Sequence, residues 1–107
     1  MPSVLVTQAI LMPTYEAEPA FFRDLDHLTN QERNAFFAAV RRFVADLNEG
    51  DLRAGLRVKA MPGHPGVYEM SWAPDGRATF SFGASVKGGQ PHIIWRRIGT
   101  HDIFDRP

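Results

Sequence analysis

The sequence predicts an α+β fold, in which an N-terminal strand and two helices pack on one face of a four- to five-stranded antiparallel sheet. Three observations carry that prediction. Apolar residues recur at spacings of three and four through residues 19–49, the period drops to two after Gly55, and a Pro-Asp-Gly turn joins two alternating segments. At 107 residues the chain can enclose one core but not two, so a single domain spanning 1–107 is expected. Its 44% hydrophobic and 22% charged residues are those of a globular protein.

The elements follow in order. Val4 to Met12 is apolar, interrupted by Thr7 and Gln8 and preceded by no Lys or Arg, which fits a strand and neither a signal peptide nor a membrane span. Pro13 and Thr14 end it. Between Glu16 and Leu28, Phe21, Phe22, Leu25 and Leu28 mark one face of a short helix near 19–28. Thr29 followed by Glu32 matches a capping box, whose hydroxyl and carboxylate satisfy free N–H groups at a helix start. A second helix is therefore expected over 30–49. Phe36, Phe37, Val40, Phe43, Val44 and Leu47 lie on one face, Arg33, Arg41 and Arg42 on another, and Gly50 terminates it.

Strands are expected near 56–61, 66–73, 77–83 and 92–98. In the first, Leu56, Val58 and Ala60 alternate with Arg57 and Lys59; in the second, Tyr68, Met70 and Trp72 alternate with Val67, Glu69 and Ser71. The turn Ala73-Pro74-Asp75-Gly76 leads into the third, where Ala78, Phe80 and Phe82 continue the apolar parity. His92 to Ile98 has no cleanly apolar parity, and a strand covered on both faces is one explanation. With helices on one face, the other would carry Arg57, Lys59, Glu69 and Arg77 together.

Composition narrows the function classes. The chain has no cysteine, which excludes a disulfide framework, a cysteine nucleophile and a thiolate zinc site, and fits the reducing cytoplasm. Net charge is zero but uneven, −4 over residues 1–52 and +4 over 53–107, so an anionic ligand is expected on the C-terminal half. Ser85, in Gly-Ala-Ser-Val-Lys, lacks the second glycine of a nucleophile elbow, and no phosphate-binding Gly-Lys-Ser/Thr loop is present. The histidines His27, His64, His92 and His101 show no i, i+4 pairing, and no metal or cofactor is expected.

The basic sheet face has a chemical reading of its own. Binding or cleaving RNA requires cations at phosphate, aromatic surface for bases and a group that titrates near neutrality; Arg, Lys and His, with Trp95 or Tyr68, supply these types. Alternating basic residues also serve plain solvation and edge protection, and Glu69 could simply neutralise Arg57 or Arg77.

From the helix pair through LRVKAMPGHPGVYEMSWAPDGRATFSFG to IIWRRIGTHDIF, the chain resembles the RelE/ParE superfamily of bacterial toxins, on its RelE-like branch. The resemblance covers nearly the whole chain. It implies a cytoplasmic toxin of a type II toxin–antitoxin system, restrained by a cognate antitoxin in a hetero-oligomer, with mRNA and the ribosome as targets and no membrane partner. The implied activity is ribosome-dependent, metal-independent cleavage of mRNA by attack of a ribose 2′-hydroxyl. On this resemblance Arg77 is the phosphate-stabilising arginine, Arg57 and Lys59 are the basic residues of the preceding strand, and His101 is the C-terminal acid or base. Glu69 would act as a base or orient a cation, and Arg97 would add to transition-state neutralisation. The zero net charge, and Asp102 and Phe104 in place of the usual C-terminal tyrosine, keep two alternatives open. They are a ParE-like gyrase-inhibiting toxin and a non-catalytic binding protein of the same fold.

Overall fold

The computed structural model describes residues 14–50, 52–84 and 91–107. The strand expected within 4–12 and the segment around Ser85 and Lys87 lie outside those residues. The described chain runs β1 (Thr14–Ala17), α1 (Pro19–Asp26), α2 (Asn30–Glu49), a 3-10 turn (Ala54–Leu56), β2 (Lys59–Ala60), β3 (Val67–Ser71), β4 (Arg77–Gly83), β5 (His92–Gly99) and a C-terminal 3-10 helix (His101–Asp105). The five strands form one sheet in the order β1-β5-β4-β3-β2, antiparallel except for β1, which runs parallel to β5. Residues 14–17 are thus a strand where the sequence suggested the approach to a helix. Pro19 explains the boundary: it favours the first turn of a helix, where its missing N–H costs nothing, and α1 begins there.

The helices form as their caps dictate. Thr29 Oγ1 accepts from Glu32 N at 3.1 Å and Glu32 Oε1 accepts from Thr29 N at 2.8 Å, which completes the capping box of α2. Gly50 closes that helix at φ 77°, in the left-handed region open to glycine. Arg33 joins the two helices, its Nη1 donating to the carbonyls of Leu25 at 3.0 Å and Leu28 at 2.7 Å. Asp24 on α1 then ties the layer to the sheet, accepting from Arg97 Nε at 2.6 Å, Arg97 Nη2 at 3.1 Å and the Ile98 amide at 3.1 Å.

Between helices and sheet lies an aromatic core. Phe43 meets Phe80 with ring centroids 5.0 Å apart, Phe36 meets Trp95 edge-on at 5.3 Å, and Phe80 meets Trp95 at 5.4 Å. Met70 and Ala78, paired across β3 and β4, are wholly buried beneath the same layer. The register of β3 is therefore the expected one, with Met70 facing the helices and Glu69 the opposite side.

Why β5 lacks a clean parity is now plain. Thr79 pairs with Arg97 but Phe80 pairs with Trp95, so Arg96 is an extra residue, a β-bulge. Ile93 and Trp95 face the core before the bulge and Ile98 after it, and the apolar parity switches from odd to even.

The open cationic face expected from β2 to β4 needs correction on three points. The strand expected over 56–61 shrinks to Lys59–Ala60, because Leu56 closes a 3-10 turn and Arg57 takes a left-handed conformation at φ 52° that breaks the pleat. Glu69 and Arg77 are buried, at 8% and 7% exposure, and Thr79 between them is fully buried. The C-terminal 3-10 helix provides part of that cover: a Cβ on Gly99, the partner of Arg77, would lie 3.0 Å from Ile103 Cγ2.

Candidate anion-binding cleft

Arg77 opens β4 directly after the turn, and its surroundings decide what it can do. Nη1 donates to the carbonyls of Gly76 at 2.8 Å, Pro74 at 3.1 Å and Ala73 at 3.3 Å, so one arm of the guanidinium holds the turn. The other nitrogens, Nε and Nη2, have no partner among the described residues. Since Trp72 Nε1 and Thr79 Oγ1 are the buried side-chain nitrogen and oxygen atoms without a partner among the described residues, those two Arg77 nitrogens reach solvent. Arg77 lines a cleft of about 240 Å³ whose walls also include Arg42, Arg57, Ser71, Trp72 and Pro74.

Each wall has a structural cause. Arg42 projects from α2. Arg57 follows the 3-10 turn and has the one positive φ of a non-glycine residue among those described, a conformation that has a backbone cost and recurs at functional sites. The start of that turn is anchored by Asp46, which accepts from Arg53 N at 2.9 Å, Nε at 2.8 Å and Nη2 at 2.8 Å. These Arg53 hydrogen bonds hold the Asp46 carboxyl down to about 2, while partial desolvation opposes the shift. Trp72 is seated by Gly76, where a Cβ would come within 2.5 Å of the indole.

The cleft is electrostatically one-sided. Three guanidinium groups line it and no carboxylate does. None of Arg42, Arg57 and Arg77 is within ion-pair distance of an acid among the described residues, although Arg42 feels the charge of Asp46 one turn further along α2. A buried guanidinium without countercharge is costly, and a planar fork with free donors suits a phosphate oxygen pair.

The residues singled out from sequence divide accordingly. Arg57 and Arg77 meet in the cleft. Lys59 sits beside it on β2 and pairs with Glu69, Nζ to Oε1 3.7 Å, so Glu69 is bound to a cation and largely buried. Arg97 is held by Asp24. His101 is exposed at the start of the C-terminal 3-10 helix, its ring 5.4 Å from that of Phe104, and is not among the cleft's lining residues. Arg42 was read from sequence only as part of a polar helix face. Its basic character was legible, but its convergence with β4 depends on how α2 crosses the sheet.

The described residues form two further concave surfaces. An apolar pocket of about 360 Å³ shares Trp72, Ala73 and Pro74 with the cleft, and a groove of about 640 Å³ runs between β1, α1 and α2. The groove exposes Tyr15, Phe22 and Phe37, at 74%, 56% and 44%. Among the described residues, no three His, Asp or Glu side chains are grouped to hold a metal, and no helix is long and apolar enough to cross a membrane.

No protein-family model matches the chain, and no curated protein sequence matches it. Solved structures do. A chain of the DinJ–YafQ toxin–antitoxin complex from Escherichia coli superposes with a TM-score of 0.59 at 16% identity, over 85% of this chain and 94% of that one. A chain of the RelB–RelE antitoxin–toxin complex from Methanococcus jannaschii gives 0.58 at 19% identity, over 85% and 98%. The RelBE2 complex from Mycobacterium tuberculosis gives 0.51 at 20% identity, over 83% and 98%. The two helices and five-stranded sheet of this chain are the fold of RelE-type toxins.

Proposed function

We propose that this protein is the toxin of a type II toxin–antitoxin system, acting in the cytoplasm as a ribosome-dependent mRNA endonuclease. The observation that carries the reading is the cleft lined by Arg57 and Arg77 and by no acidic residue, on a fold similar to that of RelE toxins. In the proposed reaction the ribose 2′-hydroxyl attacks the adjacent phosphorus, the bond to the 5′-oxygen breaks, and the products are a cyclic phosphate and a free 5′-hydroxyl. A proton leaves the 2′-oxygen and another reaches the 5′-oxygen. Arg57 and Arg77 neutralise the charge that accumulates on the phosphate. Lys59, oriented by Glu69, extends the positive field, and Arg97 acts by holding α1 to β5. His101 is assigned to proton transfer, supported by its place just beyond Gly99, the residue paired with Arg77. The exposed aromatic groove along β1, α1 and α2 supports a protein partner, in this reading the antitoxin.

Induced expression with separate measurement of translation and DNA supercoiling tests the proposal. Translation should stop, supercoiling should persist, and co-expression with the antitoxin should restore growth. The Arg57 side chain is exposed and makes no hydrogen bond or ion pair among the described residues, so Arg57→Ala should fold normally and cut mRNA on ribosomes about a hundredfold more slowly. Normal translation with loss of supercoiling would replace the nuclease with a gyrase inhibitor, and unaffected growth would remove the toxin reading.

A further inference from the structure

We propose that Arg42 is the third phosphate ligand of the cleft, and that Arg42, Arg57 and Arg77 form a preformed site for a single-stranded RNA phosphodiester in the free protein. The inference rests on RNA being the ligand of this cleft. It adds a residue from a different element and a binding step that needs neither ribosome nor antitoxin.

Four observations carry it. Arg42, Arg57 and Arg77 come from α2, the segment after the 3-10 turn and β4, yet all three line one cleft of about 240 Å³. Arg77 lines that space, is more than nine-tenths buried, and has Nε and Nη2 without a partner among the described residues. Arg57 is held there by a left-handed backbone conformation that an L-residue adopts only at a cost. The walls contain no acid, and none of the three arginines is within ion-pair distance of one among the described residues. A cleft lined by three arginines and no acidic residue suits an anion with several oxygens, and a backbone phosphate offers two unesterified ones. The neighbouring Arg41 is exposed on the same helix and does not line the cleft, so general charge and local position can be separated.

The test is a fluorescence-anisotropy titration of a short labelled single-stranded RNA into the purified full chain at several salt concentrations. Losing one phosphate contact lowers the slope of log affinity against log salt by about 0.7 for a single strand. Arg42→Ala should show that drop and bind roughly tenfold more weakly, as expected for a lost hydrogen bond to a charged group. Arg41→Ala should keep affinity within about twofold, since a surface charge outside the contact contributes little. Arg42→Lys should keep the slope while losing part of the affinity, because charge survives and the fork does not. Melting curves verify that each variant is folded. If Arg42→Ala matches Arg41→Ala in both affinity and slope, the inference is overturned. Arg42-dependent binding without translation arrest would sink the nuclease reading and leave this site standing, whereas arrest with Arg42-independent binding would do the reverse.

Discussion

Gly76 shows how much one missing side chain can hold in place. Its amide donates to the Ala73 carbonyl at 3.0 Å, its carbonyl accepts from Trp72 N at 3.2 Å and from Arg77 Nη1 at 2.8 Å, and the indole of Trp72 lies where a Cβ would be. A methyl group there must push Trp72 aside, and Trp72 is a wall of both the arginine cleft and the apolar pocket beside it. Gly76→Ala should therefore destabilise the fold by about 1–3 kcal/mol, measured by chemical denaturation, and should weaken anion binding in the protein that remains folded. The Pro-Asp-Gly sequence made the turn legible. The contact between Gly76 and Trp72 was not, because proximity across a turn depends on where the indole packs.

At the scale of elements, caps and the β3–β4 hairpin were legible, whereas irregularities within strands were not. The capping box at Thr29 and Glu32 involves residues three apart, and both of its hydrogen bonds are present. Thr29→Ala should cost about 1 kcal/mol of stability, visible as a lower melting temperature with unchanged helix content in the folded baseline. Strands β3 and β4 were equally legible, since strict alternation and a short turn set both faces. The bulge at Arg96 was not legible from alternation, because inserting one residue turns an ordered pattern into an apparently disordered one. Arg57 was placed in a strand because its neighbours alternate, and its positive φ has no signature in the side chain itself. Part of the cover over Arg77 likewise comes from Ile103, a residue far from it in sequence that lies against its strand partner Gly99. Of the candidate site, sequence reasoning found Arg57 and Arg77 but could not foresee that Arg42 joins them.

For the molecule as a whole, the pair Asp46 and Arg53 links the end of α2 to the segment that presents Arg57. The Asp46 carboxyl is lowered in the folded state from its ordinary 3.8 to about 2, so folding is favoured by the charged form. The contribution is fully present above pH 4 and is lost as pH falls from about 4 toward 2. Melting temperature followed from pH 7 to pH 2 should fall across that window in the unmodified protein, and the fall should be smaller in Asp46→Asn. Equal slopes for the two proteins would show that the pair does not couple folding to acid.

The parallel pairing of β1 with β5 has a consequence for how the chain reaches this state. Thr14 lies against His92 and Ala17 against Trp95, so the edge of the sheet cannot close until almost the entire sequence is available. The aromatic rings of Phe21, Phe36 and Phe43 wait for the same event, because Trp95 completes the surface they bury against. Such distant pairs raise the contact order, which slows folding and prolongs the exposure of sticky intermediates. During synthesis the helices emerge first with their apolar faces uncovered, and the protein becomes competent only after its last strand has been made.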